Sequence, residues 1–358
     1  MSRASISGVP CMLMRGGTSK GAYFLAGDLP IDPAERDEML LRIMGSPDPG
    51  QLDGIGGAHP LTSKVAVISP SAGPDADVDY LFLQVAVDEA TVSDRQNCGN
   101  ILAGVGPFAI ERGLVSPGPE HTTVRIRMVN SGSIAVAHIA TPGGVVRYSG
   151  DTAISGVPGT AAPVVLDFTG TEGSAGSGLL PTGHVTDEID GLRVTCVDNG
   201  MPVVVAYAKD FGLTGYEPVD QLEADDALGD RVQSLRLRAA ELMGLGDVRE
   251  SSVPKTTLVA PPADGGTICT RTFIPLRPHT SIGVLGAVSV VTAILLDGAV
   301  GHDVAHIPDG ATRFDVEHPS GHVQVEVEVD ARAGPPRVRR SGVVRTARKL
   351  FDGTVFPR

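Results

Sequence analysis

Residues 101–110, Ile-Leu-Ala-Gly-Val-Gly-Pro-Phe-Ala-Ile, carry no charge and follow directly on the polar turn Gln96-Asn97-Cys98-Gly99-Asn100. A helix apolar on every side has no face to give to solvent and has to be enclosed. The pattern returns at residues 282–296, which are too uniformly apolar for a surface helix and are entered through Arg277-Pro278-His279-Thr280-Ser281. Each of these helices needs its own shell, and the runs around them read as strands.

In the first half strand-like runs fall at residues 10–14, 22–25, 65–69, 80–87, 122–129, 134–139, 145–148 and 163–168. Residues 130–133 make a hairpin between two alternating strands. Asp32-Pro33 caps a helix over 34–44, and residues 46–57 are loop. In the second half strands are expected at 192–197, 202–206, 256–260, 267–275 and 323–329, with 345–348 and 350–356 closing the chain. Residues 198–201 turn on an Asn and a Gly that suit positive φ. An amphipathic surface helix is expected over 223–243. The stretch 169–178, rich in Gly, Ser and Thr, marks a boundary just beyond it. The expectation is an α+β chain of two similar domains, 1–180 and 181–339, with 340–358 returning to the first. It amounts to a weak internal repeat.

Composition removes several classes of function. A formal net charge of -13 and the absence of Trp argue against nucleic acid and anionic membrane as partners. The four cysteines, at 11, 98, 196 and 269, have neither zinc spacing nor the look of a disulfide framework. No cluster with metal-ligand spacing is visible, so neither metal nor cofactor is expected. The N-terminus lacks a signal-peptide core and the longest apolar run is too short to span a bilayer, so a cytoplasmic protein is expected.

Three local features could carry chemistry. Cys98 stands where a helix begins, next to unpaired backbone N–H groups and the positive end of the dipole. A thiol there is favoured as thiolate, although a small buried filler is the default for a lone cysteine. Lys64 stands at the mouth of the strand at 65–69; partly desolvated it becomes a base, and otherwise it reaches to solvent. The turn Arg15-Gly16-Gly17-Thr18-Ser19-Lys20-Gly21 lacks P-loop spacing. It reads equally as an anion-presenting turn or as a hairpin with solvated charges. If both buried helices face a cleft between the domains, their positive ends converge on one pocket suited to a polycarboxylate. Arg15, Lys20, Lys64 and Arg271 would add local positive charge.

Met14-Arg-Gly-Gly-Thr-Ser-Lys-Gly21, Asp53-Gly-Ile-Gly-Gly57, Leu61-Thr-Ser-Lys-Val65, the Gln96 to Ile110 segment, Asp198-Asn-Gly-Met-Pro202 and His279-Thr-Ser-Ile-Gly283 resemble the PrpF-like isomerases. The resemblance covers nearly the whole chain. It implies the diaminopimelate epimerase-like fold, two similar domains with strands wrapped around a central buried helix and an active site in the interdomain cleft. Met44-Gly-Ser-Pro-Asp48, Asp79-Tyr-Leu-Phe82, Leu179-Leu-Pro-Thr-Gly183 and Arg345-Thr-Ala-Arg-Lys-Leu350 look most like the 4-oxalomesaconate tautomerases of gallate and protocatechuate breakdown. The family also holds 2-methylaconitate and 3-methylitaconate isomerases.

By this resemblance the catalytic lysine and cysteine fall on Lys64 and Cys98. The family's epimerase relatives carry a second cysteine where this chain has Thr280-Ser281, so two-thiol epimerisation is disfavoured and a lysine-centred 1,3-proton shift is expected. Amides at Gly99-Asn100 and Ser281-Ile282-Gly283, with the Gly16-Gly17-Thr18-Ser19 turn, would stabilise the anion, and Arg271 and Lys20 would orient carboxylates. Arg15, Thr62, Ser63, Asn97, Met201, His279 and Thr280 complete the expected substrate contacts. The expected partner is a small tricarboxylate, with a homodimer left open. A carboxylate-binding accessory protein is the non-enzymatic alternative. A cysteine hydrolase is weaker, since His59, His279 and His318 lie in no pattern with Cys98.

Overall fold

The computed structural model describes residues 8–94, 98–168, 170–249, 251–331 and 334–358, so Asn97 lies outside the described residues. The chain divides into two compact units, Met1–Leu166 with Arg345–Arg358, and Asp167–Val344.

The first unit runs β1 (Val9–Gly16), β2 (Ser19–Leu25), α1 (Pro33–Met44), β3 (Lys64–Pro70), β4 (Val78–Val85), β5 (Val92–Ser93), α2 (Gly99–Glu111), β6 (His121–Met128), β7 (Ile134–Ala140) and β8 (Pro163–Phe168). β1 and β2 form a tight hairpin; β2 then pairs parallel with β3, β3 antiparallel with β4, β4 parallel with β6, and β6 antiparallel with β7. α2 packs on β1, β2, β3, β4, β6 and β7, and every residue of it from 101 to 110 is buried. This is the enclosure its composition demands. Successive strand residues point to opposite faces. Val65 and Val67 therefore join Leu40 and Ile43 of α1 in an outer core, while Lys64 belongs to the face on which α2 packs. Asp32 caps α1 by accepting from the N–H groups of Ala34 and Glu35.

The second unit runs β9 (Asp187–Ile189), β10 (Leu192–Asp198), β11 (Pro202–Tyr207), α3 (Val219–Glu223), α4 (Asp226–Leu242), β12 (Lys255–Ala260), β13 (Ile268–Ile274), β14 (Arg277–Pro278), α5 (Val284–Ile294), β15 (Arg313–His318), β16 (Gly321–Asp330) and the opening of β17 (Arg337–Val355). From β10 its pairings run antiparallel, parallel, antiparallel, parallel, antiparallel through β11, β12, β13, β15 and β16, the same order as in the first unit. α5 packs on β10, β11, β15 and β16, and Leu258, Ala260 and Cys196 meet α4 in an outer core. The repeat is thus a repeat of topology.

Several expected elements differ. Residues 145–148 form no strand; they follow a turn at Pro142–Gly144, and Val145 is exposed. The helix expected over 223–243 is α4, which starts three residues later because the Asp225 carboxylate accepts from Leu228 N–H and caps it there, with the short α3 ending at Glu223 just before; α4 buries one face, including Arg236. The two closing runs are one strand, β17, in which Leu350 is skipped between the pairs Leu13↔Phe351 and Met14↔Lys349. In the turn after β10 only Gly200 takes positive φ. No helix among the described residues is long and apolar enough to cross a membrane.

Candidate active site

Lys64 opens β3, beside Gly21 of β2 and opposite Gln84 of β4. Its side chain is 7% exposed, with Nζ donating to Gln84 Oε1 at 2.6 Å and lying 5.2 Å from the centre of the Phe82 ring. The Gln84 amide nitrogen donates to the Ser63 and Pro60 carbonyls, which turns its oxygen towards the lysine. Burial lowers the Lys64 pKa from its ordinary value, and negative charge on Cys98 acts against that shift. Desolvation, and not a neighbouring cation, favours the neutral amine, the form that takes up a proton.

Cys98 is the N-cap residue of α2, in extended conformation, half-buried and free of any disulfide. Its carbonyl accepts from Leu102 N–H and from the Tyr80 hydroxyl. A Cβ built on Gly99 would meet nothing within 4 Å, so the first turn of α2 is open on that side. The β1–β2 turn closes on the same helix end. A Cβ on Gly16 would lie 2.3 Å from the Asn100 carbonyl oxygen, and one on Gly17 2.2 Å from Asn100 Oδ1. Asn100 Nδ2 donates to Thr18 Oγ1 at 3.0 Å. The paired glycines allow the turn to lie against the helix. Ser19 Oγ is buried without a hydrogen-bond partner among the described residues.

Other expected contacts are engaged locally. Arg15 Nη1 donates to the Gly17 and Thr346 carbonyls and to Thr346 Oγ1, pinning the turn. The same arginine borders a cavity of about 290 Å³ with Tyr148, Thr152, Thr346 and Arg348, of which neither Lys64 nor Cys98 is a lining residue. Ser63 Oγ accepts from Gln51, and Thr62 Oγ1 donates to the His59 carbonyl. Lys20 reaches towards the Gly57–Thr62 loop: a Cβ on Gly57 would lie 3.3 Å from its Nζ.

In the second unit Arg271 is buried, with Nε on the Glu217 carbonyl at 2.7 Å and Nη1 on the Thr270 carbonyl at 2.9 Å. α5 begins at Val284 with Gly283 as its N-cap, so Ser281 and Ile282 precede its first turn. The Ser281 N–H, expected to face an anion, donates to His279 Nδ1 at 2.8 Å instead. Ser281 Oγ lies 3.2 Å from His318 Nε2. Met201 is half-buried and its carbonyl accepts from Ser289; Thr280 is exposed. Gln84 was not foreseen. Its only sequence signal is a polar residue near the end of an apolar strand.

A family model described as PrpF protein matches residues 6–357. The chain is 57% identical to the (4E)-oxalomesaconate Delta-isomerase of Novosphingobium sp. (strain KA1), over 98% of each protein. It is 56% identical to the 4-oxalomesaconate tautomerase of Pseudomonas putida, over 97% of this chain and 95% of that one. A crystal structure of methylitaconate-delta-isomerase superimposes with a TM-score of 0.88 at 34% identity, covering 98% of this chain and 96% of the other.

Proposed function

The chain belongs to the PrpF family and is an isomerase, and from that premise we propose that it moves a proton between two carbons of 4-oxalomesaconate. The substrate reading is supported by relatives at 57% and 56% identity that carry this tricarboxylate in their names, against 34% for the methylitaconate enzyme.

The observation that carries the mechanism is Lys64, a buried amine whose proton affinity is lowered by desolvation and which interacts electrostatically with Cys98. Neutral Lys64 Nζ removes a proton from a carbon next to a carbonyl, and the electron pair left behind spreads through the conjugated oxygens as a dienolate. The double bond shifts when a proton is returned to the far carbon, by the Lys64 ammonium or by the Cys98 thiol. Amides of the first turn of α2 are suited to stabilise the dienolate, because they are preorganised donors that need no rearrangement, whereas the Gly17 N–H of the adjoining turn already donates to the Thr346 carbonyl.

Turnover followed in deuterated water tests this, with 2-methylaconitate as the competing substrate. Lys64→Met is expected to lower kcat by about 10²–10⁴-fold while the saturated analogue tricarballylate still binds. Near-normal turnover by that variant removes Lys64 from the mechanism. Preferred turnover of methylaconitate by the wild type overturns the substrate reading.

A further inference from the structure

We propose that Lys255, which opens β12 in the second unit as Lys64 opens β3 in the first, binds a carboxylate of the substrate together with His279. The proposal rests on the tricarboxylate reading above. It starts from topology. β12 is parallel to β11 with Lys255 beside Val203, as β3 is parallel to β2 with Lys64 beside Gly21. Each lysine is the first residue of its strand, and each strand continues antiparallel into the next.

The faces agree as well. Leu258 and Ala260 lie in the outer core with α4, so alternation sends Lys255 to the opposite face. There Nζ lies 3.6 Å from where a Cβ on Gly283, the N-cap of α5, would stand. Gly283 holds in the second unit the N-cap position that Cys98 holds in the first. The second unit therefore keeps the lysine of the repeat and drops the thiol, leaving a group suited to hold charge beside a position with no side chain.

The surroundings call for an anion. Lys255 is half-buried, and among the described residues no hydrogen-bond acceptor or carboxylate is found on its ammonium. The neighbouring His279 uses Nδ1 to accept from the Ser281 N–H, which can only donate, so a neutral His279 carries its proton on Nε2. Burial and Lys255 both lower the His279 pKa, and burial lowers that of Lys255. Neither Lys255 Nζ nor His279 Nε2 is a fully buried polar atom, so both donors stay open to an incoming ligand. A carboxylate satisfies both. Arg271, the cation that sequence alone picks out in this unit, already donates to the Glu217 and Thr270 carbonyls.

The test compares wild type, Lys255→Met and Lys255→Arg in steady-state isomerisation of 4-oxalomesaconate and in thermal unfolding with and without tricarballylate. A charge-assisted contact of ordinary strength predicts a KM raised about 10- to 100-fold in Lys255→Met, with kcat changed less. Lys255→Arg is expected to recover part of the loss, and tricarballylate to stabilise wild type but not Lys255→Met. Should Lys255→Met fail to fold, Lys255→Gln against Lys255→Arg gives the same comparison of neutral and charged side chains. A KM within about twofold of wild type with tricarballylate stabilisation intact overturns the proposal. So does a lower unfolding temperature without ligand at unchanged KM, the mark of a purely structural lysine. If wild type does not turn over 4-oxalomesaconate, the substrate reading fails by itself, and the tricarballylate arm still decides whether Lys255 binds carboxylates.

Discussion

Lys64 and Gln84 face each other across the β3–β4 ladder, and the amine donates to an amide oxygen 2.6 Å away. A neutral acceptor orients the lysine without the strong stabilisation of its charged form that a carboxylate would give. Gln84→Glu puts that carboxylate in place and raises the Lys64 pKa. If neutral Lys64 is the base, the acid limb of the kcat/KM profile moves to higher pH, and activity at neutral pH falls about tenfold or more. A pH–rate profile that does not move would separate Lys64 from the rate.

The enclosed helices were legible because an all-round apolar segment leaves no choice of environment, and α2 and α5 are buried as their composition requires. Lys64 and Cys98 were legible for a local reason: one sits at a strand mouth and the other at a helix start, both visible as changes of pattern. Gln84 was not, because its importance comes from register, twenty residues along the chain from the lysine it meets. Arg271 shows the opposite limit. Its charge suggested a ligand, and charge alone could not show that backbone carbonyls on β13 and before α3 take up its Nε and Nη1 donors. The helix expected over 223–243 was legible as one amphipathic element, but its start was not, because the Asp225 side chain caps it from within the apolar pattern.

Gly17 has φ +51°, and a Cβ there would lie 2.2 Å from Asn100 Oδ1. Gly17→Ala combines a left-handed backbone cost with a clash against the first turn of α2. The expected loss of unfolding free energy is about 1–3 kcal/mol. Asn100→Ala removes the clashing group, so the double variant is expected to lose less than the sum of the two single losses. Urea unfolding of the four proteins measures the coupling, and strict additivity would show that the turn does not press on Asn100.

Cys98 makes no side-chain cap bond to α2 although it occupies the N-cap position. Serine caps helices well, so Cys98→Ser is expected to gain about 0.5–1 kcal/mol of stability while turnover falls, by less than in Lys64→Met. Denaturant unfolding alongside kcat reads both. A serine variant that is more stable and fully active would make the thiol dispensable.

His318 is 8% exposed, and burial pushes its pKa down to about 4 from the ordinary 6.5, against a backbone hydrogen bond at His322 that raises it and together with the charges of His322, His279 and Arg271, which lower it. The unfolded chain therefore holds more protons on this residue than the folded one between those two values, and stability falls as pH drops from 6.5 to 4. The full difference is about 3 kcal/mol, reached below pH 4 and absent above 6.5. Other titrating groups add their own slopes, so the prediction concerns a difference between proteins. His318→Asn can keep the acceptor for the Ser320 N–H, now on His318 Nδ1, without the titration. The gap in unfolding free energy between variant and wild type is expected to move in the variant's favour by about that amount from pH 6.5 to 4. Parallel stability curves across this range would show that His318 is not held neutral by the fold.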